Sequence, residues 1–200
     1  MTTDPKAEPS TLNVPNLLTA VRMLLVPVLA WVFLADPVSE VHRWSAAAVF
    51  FGASLTDFVD GRIARAYGLV TKFGKLWDPI ADKALTGTAF VVLSIASELP
   101  WWVTIVVLLR EWGITLLRFV ILRYGVMAAN RGGKAKTFMQ TLALTAYLMP
   151  LPGFLYPVAV GLMAIAVVLT VVTGLDYLRE AALMRTRWLT ARAAAEDVRP

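Results

Sequence analysis

The sequence predicts an all-α, polytopic membrane protein, and three observations lead to this prediction. Of the 200 residues, 58% are hydrophobic and only 16% are charged, and the mean hydropathy is +0.66. Long apolar runs follow one another along the chain, and the core of a soluble domain of this size could not absorb them. No internal repeat and no second domain are visible, so residues 1–200 are predicted to form a single membrane domain.

Six apolar runs account for most of the chain, and each is predicted to be a transmembrane helix. A polar, proline-containing segment precedes the first run, so residues 1–12 are predicted to be a flexible N-terminal tail. Pro15 suits the start of the first helix, and Arg22 lies just inside it, where a snorkelling side chain is one interpretation. The runs cover about residues 17–34, 44–67, 76–96, 101–124, the stretch from a loop at 130–137 to about 149, and 154–177.

Short polar or glycine- and proline-containing segments separate the runs. Residues 36–43 form a polar loop, residues 68–75 a turn, and a proline–glycine segment at 150–153 ends the fifth run. Because the turn at 68–75 is short, the second and third helices are expected to be antiparallel neighbours. Residues 179–200 are rich in arginine and alanine and are predicted to be a basic, cytoplasmic C-terminal tail, a helix that lies on the membrane surface and then frays.

The distribution of basic residues predicts the orientation of these helices. The formal net charge is +5, which in a membrane protein indicates basic loops near anionic lipid rather than nucleic-acid binding. Only Arg43 falls on the side opposite to the other basic loop and tail residues. The positive-inside rule therefore predicts a multi-pass protein of the cell membrane with both termini in the cytoplasm. The basic positions on the cytoplasmic side are Lys6, Lys72, Lys75, Arg123, Arg131, Lys134, Lys136 and the arginines of the tail.

Four carboxylates interrupt the apolar sequence near the turn at 68–75. Asp57 and Asp60 are three residues apart, and Asp78 and Asp82 are four residues apart, so each pair lies on one face of a helix. Two facing pairs of carboxylates offer an oxygen-rich site for hard divalent cations. An aspartate in a membrane helix can instead be a structural partner of Arg or Lys, at a cost of roughly 2.5–3.5 kcal/mol at mid-bilayer. Four of them on two adjacent helices favour the metal site.

The residues between the two pairs indicate what such a metal site would hold. Gly61 directly follows the second carboxylate and would let a bulky group approach the backbone. Arg65 lies one helical turn later and could clamp a phosphate. We therefore predict a metal site that holds a diphosphate.

The whole stretch from Asp57 to Asp82 resembles the signature of a known family. It reads D-x-x-D-G-x-x-A-R, then eight residues, then G-x-x-x-D-x-x-x-D. This is similar to the signature of the CDP-alcohol phosphotransferase family, integral membrane enzymes of phospholipid synthesis. All eight fixed positions are filled without a departure, by Asp57, Asp60, Gly61, Ala64, Arg65, Gly74, Asp78 and Asp82.

Four segments outside the signature resemble the members of this family that make phosphatidylglycerophosphate. They are N-x-P-N-x-L-T-x-x-R-x-x-x-x-P at 13–27, Arg110–Glu111 with Arg118, G-K-x-K-T at 133–137 with Gln140, and T-G-L-D-Y at 173–177. The resemblance implies transfer of the phosphatidyl group from CDP-diacylglycerol to sn-glycerol 3-phosphate, with CMP as the other product. It also implies six transmembrane helices around a polar, cytoplasm-facing cavity, in a homodimer.

The resemblance implies roles for the residues of the signature. Asp57, Asp60 and Asp78 would hold two divalent cations, Mg²⁺ or Mn²⁺. Asp82 would lie close to one of these cations and act as the base for the glycerol hydroxyl. Three residues would serve CDP-diacylglycerol. Gly61 would leave room for the nucleotide, Arg65 would contact the diphosphate, and Gly74 would shape the turn.

The acceptor phosphate needs cations of its own, and the charge and position of four residues make them the candidates. Arg110 and Glu111 could instead neutralise charges elsewhere in the helix bundle, and the loop at 130–137 would look much the same if it were only a positive-inside loop. The candidates for the acceptor phosphate are Arg110, Arg118, Lys134 and Lys136.

Three other functions remain compatible with parts of the sequence. A phosphatidylinositol-phosphate synthase shares the signature, but its entry segment differs from residues 13–27. A cardiolipin synthase of the same family would use phosphatidylglycerol and would need no clamp for an acceptor phosphate. A divalent-cation transporter could also use aspartates within the membrane, although such sites usually lie near the midplane, at broken helices in paired repeats.

Overall fold

The computed structural model describes residues 13–67, 71–121 and 131–197, and within them the protein is all-α, as the sequence predicts. No strand occurs in these three ranges. The helices are α1 (Val14–Ala35), α2 (Glu40–Ala66), α3 (Lys72–Ile95), α4 (Trp101–Ile121), α5 (Arg131–Leu148) and α6 (Tyr156–Asp197). The predicted tail at 1–12 lies outside the described residues.

Each predicted run is confirmed as a helix, but the predicted connections are too long at three places. Helix α2 begins at Glu40, inside the predicted loop at 36–43. Helix α3 begins at Lys72, inside the predicted turn at 68–75, because the side chain of Thr71 caps it. The Thr71 hydroxyl accepts a hydrogen bond from the Gly74 backbone N–H at 3.0 Å, which satisfies a donor that the helix itself cannot pair.

The predicted loop at 130–137 is wrong from Arg131 onward, because α5 begins there. Two adjacent glycines suggested a loop, yet both belong to the helix. A Cβ on Gly132 would lie 3.0 Å from Cγ2 of Thr173 on α6, whereas one on Gly133 would lie 3.9 Å from the Tyr177 hydroxyl, at ordinary contact distance. The absence of a side chain at Gly132 therefore leaves room for Thr173.

Helix α6 continues well beyond the predicted end of the sixth run. It runs from Tyr156 to Asp197 without a break. The predicted tail at 179–200 is therefore helical up to Asp197, as a continuation of α6. Alanine, leucine and arginine dominate this segment, and these are strong helix formers. No Gly or Pro occurs between Leu175 and Asp197 to end the helix.

Two helices in the described residues are long and apolar enough to cross a membrane. These are Val14–Ala35, with a hydropathy of 2.2, and Tyr156–Thr190, with a hydropathy of 2.6. The six-span topology and the cytoplasm-facing cavity stay predictions from the sequence.

The chain divides into two compact units. Within the described residues, the first unit consists of α1, α2 and α3 with Leu144–Gly153. In this unit α1 packs extensively against both α2 and α3, which contact each other less. The second unit consists of α4, the first part of α5 and α6, and in it α4 packs against α6. Large side chains that are fully buried in the first unit include Leu29, Phe33, Phe50, Leu85, Phe90 and Leu93.

An arginine near the start of α2 connects the distant parts of the first unit. Arg43 forms an ion pair with Glu98, which follows α3, at 2.5 Å. Its other terminal nitrogen donates to the Tyr147 carbonyl at 2.7 Å. This contact fastens three chain segments together at a position remote in sequence from the aspartate signature.

Candidate active site

One face of α1 carries three buried polar side chains. Asn16, Thr19 and Arg22 follow one another at intervals of three residues, a spacing that places them along one side of a helix. Their exposed fractions are 6%, 2% and 1%. Buried polar groups in an apolar helix need partners, and these three find them on and next to the two helices of the signature.

Arg22 binds both carboxylates of the first aspartate pair. Its Nη1 forms an ion pair with Oδ1 of Asp57, and its Nη2 lies 2.7 Å from Oδ2 of Asp60. One planar guanidinium thus bridges two side chains that the sequence places one turn apart on α2. The snorkelling interpretation of Arg22 is wrong, because the side chain is buried rather than extended to a surface.

The other two polar residues of α1 contact the second half of the signature. The Thr19 hydroxyl lies 2.5 Å from Oδ1 of Asp78, within reach to donate a hydrogen bond. The Thr71 hydroxyl, which caps α3, lies 3.0 Å from Oδ1 of Asn16. Helix α1 therefore holds the first aspartate of α3 as well as the aspartate pair of α2.

Gly74 lies in the first turn of α3, which corrects its predicted place in the turn between helices. A Cβ at this position would lie 3.0 Å from Oδ1 of Asn16, 3.4 Å from Oγ1 of Thr71 and 3.5 Å from Oδ2 of Asp78. The absence of a side chain is therefore required by the close approach of α1 to the start of α3.

Three carboxylates of the signature converge in this cluster. Arg22 binds Asp57 and Asp60, and the Thr19 hydroxyl lies beside Asp78. Asp57 and Asp78 both act electrostatically on Asp60. Hard carboxylate oxygens suit Mg²⁺ or Mn²⁺, so the donor set fits the predicted cations.

The side chains do not already form a metal-binding group. Among the described residues, no three His, Cys, Asp or Glu side chains are arranged to hold one ion. In the first aspartate pair the reason is visible, since Asp57 and Asp60 are turned toward Arg22. Their role as metal ligands therefore stays a prediction.

The structure places the remaining residues of the signature on the expected helices. Asp82 is half-buried, one turn after Asp78 on α3, and Gly61 is half-buried, directly after Asp60 on α2. Arg65 belongs to α2, but its side chain lies outside the part of the molecule that is described.

A second polar cluster lies in the unit formed by α4, α5 and α6. Oε1 of Glu111 forms an ion pair with Lys136 and lies 3.1 Å from Nη1 of Arg110. The other terminal nitrogen of Arg110 donates to the Thr173 hydroxyl at 2.9 Å. One carboxylate, that of Glu111, is thus shared by two cations.

The T-G-L-D-Y segment of α6, to which the sequence alone assigned no role, surrounds Arg110. Besides the hydrogen bond from Arg110 to Thr173, a Cβ on Gly174 would lie only 3.2 Å from Cγ of Arg110. The Arg110 guanidinium also lies 5.8 Å from the centre of the Tyr177 ring, within the range of a cation–π contact. The 173–177 pattern is thus the signal that could have identified these partners.

The structure brings together two of the four residues predicted to bind the acceptor phosphate. Arg110 and Lys136 share Glu111, and Lys136 is 5% exposed. Lys134 is exposed on α5, and the Arg118 side chain is not among those described. The alternative in which Arg110 and Glu111 neutralise charges inside the bundle accounts for their contacts equally well.

Comparison with known proteins identifies the family. A sequence model of the CDP-alcohol phosphatidyltransferase family matches residues 12–172. The match spans most of the chain, so this chain belongs to the CDP-alcohol phosphatidyltransferase family and is an enzyme, a transferase. Its two long apolar helices and this membrane-associated family indicate a membrane location.

Relatives with curated names carry the comparison further. The chain is 46% identical over 170 residues to a protein of Mycobacterium tuberculosis named "Probable phosphatidylglycerophosphate synthase", covering 84% of this chain and 81% of the relative. It is 38% identical over 179 residues to the CDP-diacylglycerol–glycerol-3-phosphate 3-phosphatidyltransferase of Bacillus subtilis, covering 82% and 93%. The protein of the same name from Rickettsia felis is 37% identical over 172 residues, covering 84% and 94%.

Replacing Gly74 by Ala is expected to destabilise the protein, because Asn16 is held by Thr71 and cannot retreat from a Cβ at 3.0 Å. Overpacking of this kind typically costs about 1–3 kcal/mol. Gly52→Ala on α2 is the matched control, because a Cβ there meets nothing within 4 Å, and a helical Gly→Ala change stabilises by roughly 0.5–1 kcal/mol. Thermal unfolding in detergent should show a lower Tm for the first variant and a higher Tm for the second. A raised Tm for both would contradict the close approach at Gly74.

Proposed function

We propose that this enzyme transfers the phosphatidyl group of CDP-diacylglycerol to sn-glycerol 3-phosphate, giving phosphatidylglycerophosphate and CMP. The names of the relatives support this reaction. The observation that carries the proposal is the gathering of Asp57, Asp60 and Asp78 around one polar face of α1. In the reaction, the acceptor hydroxyl attacks the phosphorus that bears diacylglycerol. The bond from that phosphorus to CMP breaks, and CMP leaves.

The carboxylates of the signature are proposed to bind two divalent cations, Mg²⁺ or Mn²⁺. Asp57, Asp60 and Asp78 would hold them, and Asp82 would lie close to one. When bound, the cations would supply positive charge against the diphosphate and the departing phosphate of CMP. The convergence of three hard carboxylates beside one face of α1 supports this assignment.

Four residues of α2 and α3 are proposed to serve the two substrates, three of them beside the substrates and Gly74 by shaping the site. Gly61 leaves room for the nucleotide beside the carboxylates, and Arg65 contacts the diphosphate. Gly74 keeps the start of α3 close to α1, so that Asp78 stays beside Thr19. Asp82, on the same face as Asp78, takes the proton from the attacking glycerol hydroxyl.

Replacing Asp82 by Asn tests its role as the base. The amide is nearly isosteric but accepts no proton, so turnover is expected to fall by about 10²–10⁴-fold. Affinity for CDP-diacylglycerol should change far less, and steady-state kinetics with both substrates varied would separate the two effects. Asp82 would be a ligand rather than a base if the variant lost affinity for CDP-diacylglycerol but kept its turnover at saturation.

The acceptor phosphate is proposed to bind to cations of the second unit. Arg110 and Lys136 are the strongest candidates, because they lie together at Glu111 in a partly buried setting. A guanidinium fork and an ammonium group both suit phosphate oxygens. Arg118 and Lys134 complete the set predicted from the sequence.

Lys136→Gln should raise the KM for glycerol 3-phosphate and leave that for CDP-diacylglycerol much less affected. Losing one charge-assisted contact costs about 1.5–3 kcal/mol, which corresponds to roughly 10- to 150-fold in KM. Lys134→Gln is the matched control, two residues away but exposed, and should change KM only slightly. Equal effects of the two variants on KM would show that Lys136 does not bind the acceptor phosphate. Tm values measured in parallel identify any loss of folding.

The membrane arrangement forms part of the same proposal. The protein is proposed to be a multi-pass protein of the cell membrane, a homodimer of single-domain chains, with both termini and the active site facing the cytoplasm. The asymmetric distribution of basic residues supports this orientation, and a cytidine nucleotide substrate would reach the active site from that side.

A transfer assay with purified protein tests the reaction itself. Radiolabelled CDP-diacylglycerol is offered with glycerol 3-phosphate, inositol phosphate, myo-inositol, serine or phosphatidylglycerol in turn. Glycerol 3-phosphate should be used far better than the others, and a chelator should abolish transfer until Mg²⁺ or Mn²⁺ is restored.

Each competing function gives its own result in that assay. Preferred use of inositol phosphate would indicate a phosphatidylinositol-phosphate synthase, and preferred use of phosphatidylglycerol a cardiolipin synthase. No transfer to any acceptor, together with cation uptake by proteoliposomes, would indicate a transporter. Full activity in excess chelator would contradict the role of divalent cations.

A further inference from the structure

Arg22 is a buried cation with two carboxylate partners. Its residue is 1% exposed, and its two terminal nitrogens bind Asp57 and Asp60. Burial of an ionised guanidinium is costly unless charge and hydrogen bonds compensate it. The same contact places a cation against Asp57 and Asp60, whose like charges one turn apart repel.

The carboxylates that bind Arg22 are the ones proposed to bind divalent cations. The Arg22 contacts use Oδ1 of Asp57 and Oδ2 of Asp60. A carboxylate that donates electron density to a metal ion weakens its bond to an arginine, and a guanidinium a few ångströms away repels that ion. Full occupancy by both cations is therefore opposed by Arg22.

The difference in burial favours Asp57 as the first of the two carboxylates to release Arg22. The Asp57 side chain is 38% exposed, whereas that of Asp60 is 8% exposed. A cation arriving from solvent meets Asp57 before Asp60. Arg22 can remain beside Asp60 after it has lost Asp57.

A contact outside the proposed metal ligands keeps α1 in place while the partners of Arg22 change. The Thr71 hydroxyl lies 3.0 Å from Oδ1 of Asn16, so release of one ion pair does not release the helix. Nε of Arg22 is also buried and finds no acceptor among the described residues. The guanidinium thus keeps a donor for a new partner after the exchange.

We propose that Arg22 is a resident counter-ion, which neutralises Asp57 and Asp60 in the metal-free enzyme and gives up at least Asp57 when divalent cations bind. It is a positioning residue: it keeps α1 and α2 together in the metal-free state and weakens the affinity of the site for cations. This inference rests on the divalent-cation site of the proposed function.

Binding of Mn²⁺ to the purified full-length protein, measured calorimetrically without substrate, tests this role. Arg22→Gln should lower the Kd for Mn²⁺ on the order of 5- to 150-fold, the usual range for coupling between two bound groups. In metal-free buffer its Tm should fall below that of the wild type, and saturating Mn²⁺ should raise its Tm by more than it raises the wild-type Tm.

Two further variants make the comparison decisive. Arg22→Lys keeps a charge but cannot bridge two carboxylates, so its Kd should lie between those of the wild type and Arg22→Gln. If the Gln variant does not fold in metal-free buffer, the Kd of Arg22→Lys for Mn²⁺ is sufficient to test the proposal. Arg43→Gln breaks a comparable ion pair, with Glu98, outside the site. It should lower the Tm equally with and without Mn²⁺ and leave the Kd unchanged.

The outcomes separate this inference from the proposed function. If the wild type binds Mn²⁺ and the Arg22 variants bind it no more tightly, with Tm losses that Mn²⁺ leaves unchanged, Arg22 is only a structural tie and the inference is wrong. If the wild type binds no divalent cation, the inference and the metal site of the proposed function are both wrong.

Discussion

The ion pair that joins Arg22 to Asp57 and Asp60 is the interaction on which the candidate active site depends. Its fork has a fixed geometry, so it determines both the rotation of α1 and its position along α2. A shift by one helical turn, about 5.4 Å, would break both contacts. It would also leave Asp60 charged and buried, and breaking a buried pair in this way typically costs about 3–5 kcal/mol. Because the register of α1 is determined at Arg22, Thr19 meets Asp78 and Asn16 meets Thr71 without further adjustment.

The second unit follows the same physical rule. Glu111 lies between Arg110 and Lys136 and connects α4 to α5, while Arg110 connects α4 to α6 through Thr173. In helices that are otherwise apolar, every buried charge requires a partner on a neighbouring helix. The polar groups therefore specify which helices are neighbours, and the apolar residues fill the space between them. In the first cluster one arginine is shared by two carboxylates, whereas in the second one carboxylate is shared by two cations.

Glycines make both clusters possible, because polar side chains of this size meet only where backbones come close. Because Gly74 has no side chain, Asn16 can pack against the first turn of α3. In the same way, the aliphatic part of Arg110 packs against α6 at Gly174. Gly132 has a related function between α5 and α6, where it faces Thr173. In each case a methyl group would lie 3.0–3.2 Å from its neighbour, closer than ordinary van der Waals contact. The two glycines of α5 were interpreted from sequence as loop residues, because sequence does not distinguish a glycine needed for packing from one needed for a turn.

The sequence by itself determined the helical class, the six apolar segments and the family signature, because these follow from local composition and from the spacing of a few residues. It also showed that Asp57, Asp60, Asp78 and Asp82 form two helical pairs. Only the tertiary structure decided which residues face these carboxylates, since Arg22 is more than thirty positions away from both of its partners. The same holds for the partners of Arg110 on α6, which lie 63 positions away at Thr173. A periodic pattern identifies the face of a helix on which a side chain lies, but the neighbour of that face depends on how the whole chain packs.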